Sequence, residues 1–369
     1  MNLKFMTSPI MKRTLFALFP LSLQVLSVCS WGVEDVVAPP VPTLAARLKA
    51  ESLAIVYESY VGDNWELFVS RCDGSEAVNL TQTPEINEHY PQVSPDGTKI
   101  CFSVDTGEGR ETVRSLWVMD RDGKNRKKIV ESAREPFWSP DSKRVGFLPQ
   151  EYPKFNVIDF YTKGMSFYDL ATGEVAPHPN SEKLHHLYNP SFSRNGKWIA
   201  AICHAGMGQS HAIFLIEANG SRLINLKIPG CRPCLSPDNK SIAWGSGDNQ
   251  LSVADIDLEA ETPVVSKPRL LIQDEKMYIY HIDWSPDGRY LAFSQGPPSK
   301  GDPTKKGTFQ SACEIVGVYA PGWNILAVSS EKSGLIKVGT AGDAEVVKIT
   351  TNGASNKEPA WMVRPPAVP

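Results

Sequence analysis

The sequence predicts an all-β fold, a six-bladed β-propeller of four-stranded antiparallel blades, on three observations. One phrase recurs along the chain, its spacing is that of propeller blades, and the two chain ends supply complementary parts of one blade. The phrase reads PQVSPDGTKICFS (Pro91 to Ser103), PFWSPDSKRVGFL (Pro136 to Leu148), PSFSRNGKWIAAI (Pro190 to Ile202), PCLSPDNKSIAWG (Pro233 to Gly245) and IDWSPDGRYLAFS (Ile282 to Ser294). Its turn serines, Ser94, Ser139, Ser193, Ser236 and Ser285, stand 43 to 54 residues apart. A truncated copy, EPAWMV, lies at Glu358 to Val363.

Each unit is built from four strands, A to D. Strand A is short and ends in Ser-Pro-Asp-Gly, where Pro presets one turn dihedral and Gly or Asn accepts a positive φ. A β-branched or aromatic strand B follows. Strand C, as in SLWVMDRDG (Ser115 to Gly123) or AIFLIEANG (Ala212 to Gly220), closes in a Gly turn suited to a hairpin. Strand D, as in AVNLT (Ala77 to Thr81) or VVKIT (Val346 to Thr350), completes the blade. The last copy supplies only strand A, and the first strand, SLAIVYES (Ser52 to Ser59), has the character of strand B. Pairing the C-terminal strand with the N-terminal strand closes the ring and leaves no open edge at the seam. The long interval from Trp284 to Trp361 reads as one blade with insertions, the alternative being a degenerate seventh blade within residues 296–345.

These residues resemble the TolB-like propeller family, whose WD-type repeats carry the W-S-P-D-G turn, over residues 50 to 363. The resemblance implies the fold and leaves the activity open, because propellers host many functions. The family's namesake carries an additional α/β domain before its propeller. Here about 20 residues separate the predicted signal from the first strand.

Residues 1–30 have the pattern of a signal peptide: Lys12 and Arg13 precede the apolar stretch Thr14 to Ser30. Residues 31–49, with Pro39, Pro40 and Pro42, read as a tether, 50–364 as the propeller and 365–369 as a tail. The expected location is periplasmic or secreted, within a cell envelope if the resemblance holds. Lipid anchoring through Cys29 is an alternative, since Leu26-Ser27-Val28-Cys29 resembles a lipoprotein box, with Val28 departing from it. Beyond residue 30 no apolar run is long enough to span a membrane. A formal charge of -3 gives no basic footprint, which excludes nucleic acid as the expected partner.

Alternate loops fall on opposite ends of each blade, and the B–C loops are long: Val104 to Arg114, Pro149 to Gly164, His204 to Ser210 and Gln295 to Gly322. Long loops on a rigid scaffold carry function, so the B–C/D–A face is the expected binding face. Four residues before each turn serine, or at the matching point of the last copy, stand Tyr90, Glu135, Asn189, Arg232, His281 and Glu358. This polar ring at the channel mouth either hydrates the opening or binds a polar ligand. Four histidines, His185, His186, His204 and His211, fall in one blade. No tight metal spacing is present, so no cofactor is expected; His204, His211 and His281 are the candidates should a divalent metal bind.

Cys231-Arg-Pro-Cys234 lacks the following helix that a redox CxxC uses, and extended residues at that spacing pair only if a local turn shortens the distance. Cys101 and Cys203 read as core residues, with Cys72 and Cys313 open for pairing. No GxSxG elbow occurs. Asp120 to Gly123 is explained by its hairpin. Trp138, Phe192, Trp284 and Trp361 recur at one position and are expected to pack between blades. Tyr152, Phe155, Phe160 and Tyr161 are aromatic candidates for stacking on a glycan or peptide. The function expected is an exported, non-catalytic binding module that engages a protein or peptide partner. The alternative is a glycan lyase or hydrolase with its site at the channel mouth.

Overall fold

The computed structural model describes residues 42–107, 112–151, 161–308, 310–342 and 344–364. The predicted signal, Cys29, the first part of the tether, Tyr152, Phe155, Phe160 and the tail lie outside the described residues.

Six sheets, antiparallel apart from one added strand, follow one another along the chain as blades 1 to 6. Blade 1 is residues 53–79 with 355–363, blade 2 is 87–131, blade 3 is 133–177, blade 4 is 187–225, blade 5 is 231–273 and blade 6 is 278–348. Ring closure is as expected: Ser355–Val363 pairs antiparallel with Leu53–Val61, bringing Trp361 opposite Ile55.

The recurring turn has one construction. Ser94 Oγ donates to Asp96 Oδ1 at 2.6 Å and accepts from the Lys99 backbone N–H at 2.9 Å. Ser139, Ser236 and Ser285 repeat it with Asp141, Asp238 and Asp287. The recurring tryptophans stitch neighbouring blades: Trp138, Trp284 and Trp361 donate their indole N–H to the carbonyls of Gln92, Cys234 and Asp283 in the blade before, at 2.9, 3.1 and 3.2 Å. Phe192 replaces that bond with ring contacts to Phe137 and Phe167.

Two local expectations change. Residues Leu44–Ala50, read as the end of an exposed tether, form a helix capped by Thr43 Oγ1, with Leu44 and Leu48 fully buried. Leucines four apart lie on one helical face, and this face packs with Tyr57, Tyr290, Ile325 and Trp361 where blades 6 and 1 meet. Blade 5 has a fifth strand: Ile336–Lys337, from the C–D connection of blade 6, runs parallel to Ile272 and Gln273. Ile336 is 1% exposed, so adding this strand buries it. The insertion before Asn324 forms no further sheet among the described residues, which leaves six blades.

Candidate functional site

The six ring residues share one backbone device. Tyr90, Glu135, Asn189, Arg232, His281 and Glu358 all have φ between 47° and 55°. Each sits where the pairing of strands A and B slips by one residue. Such a bulge bends the strand and re-aims one side chain, and in five of the six copies proline follows directly. Side chains dislike this left-handed region, yet all six blades adopt it.

The ring is largely buried and held by its own contacts. Asn189 Nδ2 donates to Tyr90 Oη at 3.2 Å, and the Asn189 backbone N–H donates to Glu135. Arg134 pairs with Glu135 at 3.2 Å and Arg232 with Glu358 at 3.7 Å. His281 Nε2 donates to the Glu314 carbonyl at 2.8 Å and lies 2.9 Å from Glu358 Oε1. A carbonyl only accepts, so Nε2 carries the proton of the neutral ring. Burial, with the charges of Arg232 and Lys357, presses the His281 pKa well below its ordinary value. Burial pushes the Glu358 carboxyl up to about 8, against the pull of Arg232.

Behind the ring lies a second charged layer that the repeat does not mark. Glu58, His89, Asp105, Arg114 and Lys357 are all at most 6% exposed. Arg114 grips Asp105 through two bonds of 2.7 Å. His89 stands between carboxylates, 3.6 Å from Glu58 and 3.7 Å from Asp105. Burial raises the Glu58 carboxyl, but the neighbouring His89 and Lys357 and the Tyr90 N–H outweigh it and hold its pKa at about 2. The Arg114 pair likewise overcomes burial to keep Asp105 low.

The two ends of the channel differ. A funnel of about 220 Å³ opens between the A–B turns, floored by Tyr90, Asn189, Arg232, His281 and Glu358. Glu135 is not on its surface, being turned toward Arg134 and Asn189. Trp138, Phe192 and Trp284 form walls, and the rim is Pro95, Pro140, Arg194, Pro237 and Pro286. Arg194 is exposed and takes the place that proline holds in the other turns. Asp283 lines the wall and accepts the Trp361 N–H at 2.8 Å; burial pushes its carboxyl up to about 7.

The opposite face, expected to bind, is where the longest B–C connection packs over the channel. Lys357 Nζ donates to the carbonyls of Ile315 and Val318 at 2.8 and 2.9 Å and to that of Cys313 at 3.4 Å. Arg232 joins His281 on the Glu314 carbonyl at 3.0 Å. The longest loop therefore serves as a plug: buried N–H groups must find acceptors, and its backbone supplies them.

The other candidates are dispersed. His204 and His211 face each other on blade 4, while His281 belongs to the channel of blade 6. Among the described residues no three His, Cys, Asp or Glu side chains form a metal-holding group. The six described cysteines are free thiols, and burial raises the pKa of Cys231 and Cys234. Cys101 and Cys203 are core residues as expected, and Cys72 Sγ donates to the Leu48 carbonyl at 3.1 Å. Tyr161 sets its ring edge-on to His186.

Fold and channel together define a ring-closed six-bladed β-propeller with a one-ended channel. Among solved structures, TolB from Acinetobacter baumannii is similar with a TM-score of 0.54 and 18% identity, over 84% of this chain and 66% of that one. The hydrazine synthase of Kuenenia stuttgartiensis gives 0.53 and 10%, over 87% and 49%. An oligogalacturonate lyase from Vibrio parahaemolyticus gives 0.45 and 13%, over 64% and 70%. The chain thus spans just under two thirds of the TolB structure and about half of the hydrazine synthase, and at these identities the likeness is one of fold. No family model and no curated protein sequence matches the chain.

Proposed function

We propose that this chain is an exported, non-catalytic propeller that receives a segment of a protein or peptide partner in the turn-face funnel. One observation carries the reading: the channel is open at the turn face and plugged at the other, which makes a dead-end pocket. Its aromatic and proline walls suit apolar side chains, and its charged floor suits a polar group at the tip. This moves the proposed surface from the long-loop face to the turn face, while keeping five of the six ring residues within it. The signal pattern of residues 1–30 supports export to the periplasm or outside the cell, with Cys29 as a lipid-anchor alternative. No helix among the described residues is long and apolar enough to cross a membrane.

The test is site-specific photo-crosslinking in the cell envelope, with the probe at Arg194 or, as a control, at Val175 on the outer strand of blade 3. Adducts are expected from Arg194 alone, and Arg232→Glu should remove them. Adducts from a plug position such as Lys306, with none from Arg194, would return the site to the long-loop face.

A second reading, a glycan lyase or hydrolase acting at the channel mouth, rests on Asp283. A carboxyl titrating near neutrality in a concave site suits acid–base work. Turnover of acidic or neutral oligosaccharides that disappears in Asp283→Asn would establish it, and no turnover across such a panel would dismiss it.

A further inference from the structure

The B–C hairpin of blade 4 carries two imidazoles that neither the funnel nor the charged layers use. His204 and His211 are directly opposed across the two strands, both exposed, with their Nδ1 atoms 3.2 Å apart. His211 Nε2 lies 2.9 Å from the Gly230 carbonyl. A carbonyl only accepts, so Nε2 of the neutral ring holds the proton and Nδ1 the lone pair. A bond from the outer nitrogen to a backbone carbonyl is also what orients histidines that ligate metals.

The spacing fits a chelate. Imidazole nitrogens bound at about 2.0–2.1 Å to one metal stand about 2.9 Å apart at a right angle and about 3.4 Å apart at the tetrahedral angle. The observed 3.2 Å lies between these limits. Without metal, the same spacing suits a hydrogen bond from His204 Nδ1 to His211 Nδ1. When a metal enters, the His204 proton moves to its own Nε2, and no net proton is lost. His186 supplies no third ligand, since its nitrogens face the Ala205 carbonyl at 2.8 Å and Glu151 at 3.1 Å.

We propose that His204 and His211 form an open two-histidine chelate for a divalent first-row transition metal, with water in the remaining positions. Imidazole ligands place copper ahead of zinc and give magnesium no purchase. The site lies on blade 4, away from the funnel floor, and stands independently of the partner-binding reading.

The experiment is calorimetric titration of the full chain with cupric and zinc chloride in a weakly coordinating buffer, joined to electron paramagnetic resonance of the copper form. A single equivalent should bind, with nitrogen coordination in the spectrum. His204→Gln and His211→Gln should each weaken binding at least about tenfold, while His185→Gln leaves it unchanged. Circular dichroism confirms that each variant is folded. Unchanged affinity in both variants would overturn the proposal and move the metal elsewhere, as would the absence of binding by either metal.

Discussion

Lys357 carries a full ammonium into a place with no solvent, and its surroundings make that possible. Three carbonyls of the plug accept from it, the Glu58 carboxylate lies 3.8 Å away, and the Trp65 ring face lies 5.1 Å away. Lys357→Met leaves Glu58 without its countercharge and three carbonyls without a donor. Removing one partner of a buried pair costs about 3–5 kcal/mol. Urea denaturation should show that loss, and hydrogen exchange should speed up across residues 311–320. A loss below about 1 kcal/mol with unchanged exchange would mean that the plug holds without the ammonium. The ring was readable because Tyr90, Glu135, Asn189, Arg232, His281 and Glu358 share one phase of the repeat. Lys357 was not: the preceding position holds His89, Arg134, Tyr188, Cys231 and Tyr280 in the other blades, with no common chemistry. Glu58, Asp105 and Arg114 lie in strands B and C, where an inward polar residue looks like ordinary alternation.

At the scale of elements, the seam between blades 6 and 1 is more than a paired strand. The helix Leu44–Ala50 inserts two leucines beneath it, and Glu51, just past its end, accepts from Arg289 at 2.7 Å and from Tyr290 Oη at 3.0 Å. Leu48→Ala should cost about 2–5 kcal/mol, as expected for a fully buried leucine. Val175→Ala, on an exposed outer strand, should stay within about 0.5 kcal/mol. Thermal unfolding of the two variants decides the matter, and equal midpoints would mean that the helix is dispensable. The blade strands were legible through their turns, whereas this helix was not. Its seven residues are fewer than the about 11–18 over which helical periodicity can be counted, and the prolines before it favoured an extended reading. The plug was recognised as a long loop, but loop length alone does not distinguish a binding loop from one that packs inward.

For the whole molecule, the buried acids set opposing limits on stability with pH. Burial raises Glu88 from 4.5 to about 8, Glu358 from 4.5 to about 8 and Asp283 from 3.8 to about 7. Between the unfolded and folded values the native protein retains protons that the unfolded chain has released, so stability falls as pH rises through that interval. Glu58 has the opposite sign: lowered from 4.5 to about 2, it stabilises the fold above 4.5 and loses this as pH falls toward 2. The two trends place maximum stability on the mildly acidic side of neutrality. Two variants separate the groups. Glu88→Gln removes a proton demand between blades 1 and 2, where Thr83 donates to the carboxylate. Asp283→Asn keeps an acceptor for the Trp361 N–H and so preserves the seam while abolishing the titration. Denaturation from mildly acidic to mildly alkaline pH should show each variant losing less stability than the parent, and the double variant less again, because the sites are separate enough to add. Parallel curves for parent and variants would mean that these carboxyls titrate at ordinary values and that the channel is wetter than its packing implies.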